Sequence, residues 1–233
     1  MRYLALATDY DGTLATDGQV NESTLAALKR LQESGRKLIM VTGRQLDELC
    51  QVFPQVDWFD CVVAENGALL YWPASREEQL LGNRPPEAFI QTLQERKVDP
   101  LSVGRVIVAT WKPNETIVLE AIRDLGLELQ VIFNKDAVMI LPSGINKAAG
   151  LSAALNKMGL SPHNVVGVGD AENDHAFLDV CGFSVAVANA LPMLKERVDS
   201  VTSGSRGAGV TELIEELLAS DLSKFATQLD ASA

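Results

Sequence analysis

The sequence is short of positive charge, of paired cysteines and of long apolar runs, and each shortage removes a class of function. Its 20 Lys and Arg residues face 31 Asp and Glu, a formal charge of −11. Attachment to nucleic acid or to an anionic membrane depends on surplus Lys and Arg, so neither is expected as a partner. The same acidity does nothing to attract a phosphorylated ligand, so a site for one needs local cations and a metal. The three cysteines, Cys50, Cys61 and Cys181, are odd in number and lack paired spacing. They fall in apolar patterns and read as reduced core residues of a cytoplasmic protein. No apolar stretch is long enough to span a bilayer. The first apolar run ends at Asp9, too soon for a secretory leader. The chain shows no internal repeat and no low-complexity tract. What it has in quantity is core material: 47% hydrophobic residues over 233 positions, enough for one large or two modest domains.

The apolar runs alternate with helical patterns. Tyr3–Ala7 reads as a buried strand, followed by a helix carrying Leu25, Leu28 and Leu31, capped by Asn21 or Ser23 and stopped near Gly35. Leu38–Val41 and Cys61–Ala64 read as further strands, with a helical stripe of Leu46, Leu49, Cys50 and Phe53 between them. This order predicts a doubly wound, parallel α/β sheet of Rossmann-like type. From Arg84-Pro85-Pro86 onward the pattern changes. A helix with Phe89, Ile90 and Leu93 leads to a strand from Val103 to Thr110. A helix with Ile117, Val118, Ala121, Ile122 and Leu125 follows, capped by Asn114, and then two strands joined by Asn134-Lys135-Asp136. After Lys147 the alternation returns, with strands at 165–168, 183–187 and 199–202 and a last helix carrying Val210, Leu213, Ile214 and Leu217. The expected organisation is a discontinuous core, residues 1–82 and 146–233, with a small α+β block, 83–145, inserted as a lid. The tail from about Ser220 is weakly patterned and is expected to fray.

Four segments carry chemistry. Asp9-Tyr10-Asp11-Gly12-Thr13 places two carboxylates where the first strand meets a turn, the edge at which open α/β sheets bind ligands. That much negative charge calls for a cation or a proton. Read alone, it is equally an exposed Asp/Gly turn. Thr42-Gly43-Arg44 ends the next strand with a hydroxyl, a flexible N–H and a guanidinium, all of which bind phosphate oxygens, though Thr42 is also a helix cap. Lys147 precedes a helical pattern, where a solvated Lys is the ordinary case. Gly169-Asp170-Ala171-Glu172-Asn173-Asp174 sets oxygen ligands for a hard cation around a turn, or simply an acidic helix start.

In order, these segments resemble the four motifs of the haloacid dehalogenase superfamily of phosphohydrolases, and in detail its Cof-type branch, which carries a cap between the second and third motifs. The resemblance runs from Tyr3 to about Leu218. Glu65-Asn66-Gly67-Ala68 and Val187-Ala188-Asn189-Ala190 also resemble that branch. The resemblance agrees with the roles that the residues suggest. Asp9 is the expected nucleophile and Asp11 the general acid and then base. Mg²⁺ is the expected cofactor, on Asp9, the Asp11 backbone carbonyl and Asp170, with Asp174 beside it. Thr42, Gly43, Lys147 and Asn173 are expected at the phosphoryl oxygens. Arg44 either joins them or pairs with a core acid.

The expected reaction is hydrolysis of a small phosphorylated metabolite, a sugar phosphate or a phosphoglycolate-like acid, through an aspartyl-phosphate. A phosphomutase and a non-catalytic phospho-acceptor are the rivals. Arg105, Lys112, Arg123 and Lys135 look scattered, not gathered for a second phosphate. Trp111 and Lys112 are candidate specificity residues and Asn66 a candidate substrate contact. Trp58 and Trp72 read as packing, and His163 and His175 receive no role. The sequence does not choose between a monomer and a homodimer.

Overall fold

The computed structural model describes residues 1–223, and their architecture begins from runs buried on both faces. β1 (Ala5–Thr8) is wholly buried, as a parallel strand covered by helices on each side must be. α1 (Glu22–Glu33) follows, and Asn21 is its cap: the side-chain oxygen accepts the Thr24 N–H at 2.8 Å. β2 (Lys37–Val41), α2 (Leu46–Val52) and β3 (Cys61–Ala64) complete the first winding. Cys61 is buried, but Cys50 lies on the exposed side of α2, so it is not a core residue. A hairpin not foreseen in the sequence comes next, β4 (Leu69–Trp72) and β5 (Glu77–Leu80), antiparallel at the sheet edge. β5 reads Glu-Glu-Gln-Leu and is exposed throughout. Its pairing with β4 makes it a strand, and its charges discourage further pairing at the edge.

α3 (Glu87–Glu95), β6 (Ser102–Val103), β7 (Val108–Trp111), α4 (Glu115–Asp124), β8 (Leu129–Asn134) and β9 (Ala137–Pro142) build a second, four-stranded antiparallel sheet in the order β6-β7-β9-β8. Phe89, Ile90, Leu93, Val118 and Ala121 cover one face of it. Asn114 precedes α4 without capping it; its side chain donates to Thr110 Oγ1 instead. α5 (Lys147–Met158), β10 (Val165–Gly169), α6 (His175–Val180), β11 (Phe183–Ala186), α7 (Pro192–Lys195), β12 (Ser200–Val201) and α8 (Gly207–Ser220) return to the large sheet. Its order is β12-β11-β10-β1-β2-β3-β4-β5. Strand order reverses at β1, so right-handed crossovers put α1 with α8 on one face and α5 with α6 on the other. Beyond α8, Asp221 accepts from Arg36 at 3.0 Å and Leu222 is buried, so fraying does not begin at Ser220. The rest of the tail, 224–233, lies outside the described residues.

The single strand expected over 103–110 is broken. Gly104–Ile107 forms a turn, and its N–H groups leave the ladder for a side chain. Glu65, fully buried, accepts from the backbone of Arg105, Val106 and Ile107 at 2.9, 2.7 and 2.9 Å. Val106 and Ile107 still bury their side chains, against Ala68, Met139 and Ile145. Glu65 thus ties the small sheet to the end of β3. Glu65→Ala would strip three amides of their acceptor, and a loss of about 3 kcal/mol or more is expected. Urea unfolding followed by circular dichroism measures it; a loss below about 1 kcal/mol would mean that water replaces the carboxylate.

Candidate active site

Strand order reverses between the parallel neighbours β1 and β10, and their carboxyl ends form the crevice expected at such a switch point. Asp9 follows β1 directly and its N–H still donates to Val168 in β10, at 3.0 Å. Asp170 follows β10. Gly12, at φ +87°, turns the chain beneath it; a Cβ there would stand 2.5 Å from Asp170 Oδ2. Lys147 is the first residue of α5, whose start is capped by Asn146 through the Ala149 N–H at 2.9 Å. Gly67, at φ +102°, lets α5 seat so closely: a Cβ on it would lie 1.9 Å from the Asn146 carbonyl oxygen.

These placements assemble a buried charge cluster. Lys147 Nζ donates to Asp9 Oδ1 and to Asp174 Oδ1, both at 2.6 Å. Asp174 Oδ2 accepts the N–H of Asp170 at 2.8 Å and of Ala171 at 2.9 Å, which folds the 170–174 turn. Asp170 accepts from Thr13 Oγ1 at 3.1 Å and from Lys135 Nζ at 2.9 Å. Asp9, Asp170 and Asp174 each bring an oxygen within 4.8 Å of the others. Burial pushes the Asp9 carboxyl well above the ordinary range; Lys147 opposes this and the neighbouring carboxylates add to it. Asp170 is raised for the same first reason, against the pull of Lys135. Burial alone would lower the Lys147 pKa, but the fields of Asp174 and Asp9 prevail and hold it above its usual value. All the donors are carboxylate oxygens, which fit a hard divalent cation. Asp174 accepts with both oxygens, from Lys147 on one and from two backbone N–H groups on the other, as Asp170 does from Thr13 and Lys135.

Asp11 stands apart from this cluster. Its carboxylate is half-exposed and gripped by Arg44, Nε to Oδ2 at 2.6 Å and Nη2 to Oδ1 at 2.8 Å, while Nη1 takes Glu48 at 2.9 Å. Arg44 thus pairs with two acids, neither of them in the core, and it also lines the cleft. Thr42 is buried, and its hydroxyl accepts the Arg44 N–H at 3.1 Å. Gly43 lies between Met139 and Asn173. Asn173 Nδ2 donates to Asn66 Oδ1 at 2.9 Å, which leaves Asn66 Nδ2 and Asn173 Oδ1 buried without partners.

Above these groups opens a cleft of about 550 Å³. Asp9, Asp11, Gly43 and Arg44 line its floor, and Ile107, Ala109, Trp111, Lys135, Ala137 and Met139 of the small sheet its roof. Trp111 therefore does face a cavity, half-exposed. Lys112 does not line it and sits near Asp136. Sequence reasoning missed Lys135 and Glu65 as site-builders. The turn Asn134-Lys135-Asp136 announced a hairpin tip, but nothing in it announced where the tip would point.

Comparison with known proteins follows this geometry. The sequence profile of the haloacid dehalogenase-like hydrolase family matches residues 6–106 and 105–214. A phosphoglycolate phosphatase of Methanothermobacter thermautotrophicus is 32% identical over 222 residues, covering 92% of this chain and 98% of that protein. Phosphoglycolate phosphatase 2 of Saccharolobus solfataricus is 29% identical, covering 95% of each chain. Among solved structures, a haloacid dehalogenase-like hydrolase from Bacteroides thetaiotaomicron superposes with a TM-score of 0.78 at 21% identity, over 92% of this chain and 99% of that one. At that identity the superposition speaks for the fold. Among the described residues, no helix is long and apolar enough to cross a membrane.

Proposed function

The chain belongs to the haloacid dehalogenase-like hydrolases, and from that premise we propose that it is a magnesium-dependent phosphatase of a short phosphorylated acid of the phosphoglycolate type. The observation that carries the chemistry is the ammonium of Lys147 shared between Asp9 and Asp174 beside Asp170. It fixes Asp9 by one oxygen at the base of the cleft, as a nucleophile toward phosphorus needs. Attack forms the aspartyl-phosphate and releases the alcohol oxygen of the substrate. Asp11, at the rim, would give that oxygen its proton and then take one from the water that hydrolyses the intermediate, a role that requires its carboxyl to leave the Arg44 guanidinium and take up a proton first. Lys147, the Gly43 N–H and the Asn66 amide, whose Nδ2 is buried without a partner, would receive the phosphoryl oxygens. Asp9 and Asp170 would hold the Mg²⁺, which supplies charge neutralisation for the phosphoryl group, with Asp174 supporting them. Residues 83–145 would serve as the lid over a core formed, among the described residues, by 1–82 and 146–223. The substrate class rests on the relatives' names, and the apolar roof supports it.

A phosphomutase needs cations in the lid for a second phosphate. Arg105 is bound to Asp47 and Glu78, Lys112 lies near Asp136 and Arg123 near Asp124. Among the described residues that line the roof, Lys135 is the cation, so hydrolysis is the better reading.

Phosphate release from 2-phosphoglycolate tests the proposal. Release should need Mg²⁺ and stop with EDTA. It should fall at least about tenfold when Ca²⁺ replaces Mg²⁺, because calcium takes more ligands at longer distances and spoils the in-line approach to Asp9. Undiminished turnover after exhaustive chelation would remove the metal from the account.

A further inference from the structure

Lys135 begins the two-residue turn between β8 and β9, at φ +55°. The end of β8 packs on the Glu172–Asp174 turn of the large-sheet core. Two bonds join the tip to the floor of the cleft: Lys135 N–H to Glu172 Oε2 at 3.2 Å and Nζ to Asp170 Oδ2 at 2.9 Å. The hairpin thus delivers an ammonium from the roof to the edge of the acidic cluster.

Among the described residues three cations stand at the site, and two of them already serve two carboxylates each. Lys147 is enclosed between Asp9 and Asp174 with 1% of its side chain exposed. Arg44 is held by Asp11 and Glu48. Lys135 has a single side-chain partner, Asp170, and 52% of its side chain remains exposed in the cleft. Nearby, the roof offers carbon: Ile107, Ala109, Ala137 and Met139. Sugar hydroxyls placed against those four side chains would lose their hydrogen bonds to water, with Asn134 Oδ1 the nearby unpartnered acceptor. A short chain ending in a carboxylate meets no such loss if one cation waits at its far end.

Resting on the phosphatase reading above, we infer that Lys135 is the specificity-determining residue of the site, taking the carboxylate of a phosphorylated short acid while the phosphoryl group lies against Asp9 and Lys147. In the ligand-free protein its ammonium rests on Asp170; the substrate's carboxylate competes for it from the open side of the cleft.

The test compares 2-phosphoglycolate with ethyl phosphate, which has the same ester linkage and a neutral end. kcat/KM is measured for the parent, Lys135→Met and Lys135→Arg. The parent should prefer the acid, and Lys135→Met should lower the acid-to-neutral ratio at least about tenfold, the scale of one hydrogen bond to a charged group. Lys135→Arg should keep most of the ratio. Calorimetric binding of the two compounds to Asp9→Asn, with and without Lys135→Met, should show the same loss of preference without turnover. An unchanged ratio, or an equal loss on both compounds, overturns the inference and leaves the phosphatase reading standing. A parent that hydrolyses both compounds without preferring the acid overturns the acid as substrate and this role with it. A parent that releases phosphate from neither overturns the phosphatase reading itself.

Discussion

Asp9→Asn should lower phosphate release on the order of 10⁴-fold or more, the scale seen when an enzyme loses its nucleophile, while the protein stays folded. An amide has the shape of the carboxylate but cannot attack phosphorus. Its oxygen can still accept from Lys147, so α5 keeps its seat. Stability should change with pH in a defined sense. Burial raises the Asp9 carboxyl well above its ordinary value of 3.8. A carboxyl raised in the folded state contributes its stability below the unfolded value and loses it as pH rises through the folded one. Ionising Asp9 therefore costs the metal-free protein stability, and the cost grows as pH rises above the unfolded value. The gain in thermal midpoint of Asp9→Asn over the parent, without metal, should be larger at the higher pH. A gain independent of pH would contradict the placing of Asp9 in a desolvated cluster. Near-parental turnover in the folded variant would remove Asp9 from the chemistry.

Lys147→Met should be the most destabilising substitution in the site. Taking one partner from a buried ion pair costs about 3–5 kcal/mol, and here one ammonium serves two carboxylates that are each almost wholly enclosed. The thermal midpoint of the metal-free variant should fall accordingly. Mg²⁺ should restore part of the loss, because it binds the folded state and replaces the missing positive charge. Turnover should remain at least about 10²-fold below the parent even when the metal is saturating, since a fixed donor to the phosphoryl oxygens has gone. Differential scanning fluorimetry with and without Mg²⁺ reads the first two effects. An unchanged midpoint would mean that water, not Lys147, neutralises the cluster.

The site was legible in the sequence where chemistry is local. Asp9 and Asp170 stand at the ends of apolar runs, and parallel pairing of β1 with β10 brings such ends together with little freedom. Lys147 owed its expected role to the family resemblance, since a Lys at a helix start is ordinarily solvated. The missing parts depend on partners distant in sequence. Glu65 takes the amides of 105–107, and Lys135 reaches Asp170 and Glu172. No periodicity encodes either contact. Val106 and Ile107 looked like strand because their side chains are buried, yet their amides turn to Glu65. β5 carried no strand signal because an exposed edge needs none. Arg44 had two acceptable acceptors, and its pairing with Asp11 and Glu48 depends on how the strand ends bring those acids together. Cys50 shares a helical stripe with buried residues but sits at the turn of α2 that faces water.

The central claim, that Asp9 carries the phosphoryl group, is tested most directly by quenching the enzyme in acid during turnover of 2-phosphoglycolate with Mg²⁺ and mapping the phosphoryl group by peptide mass spectrometry. The account predicts the label on Asp9 in the parent and its disappearance in Asp9→Asn. A label on Asp11 or on any other residue, or full turnover with no labelled peptide, would contradict it.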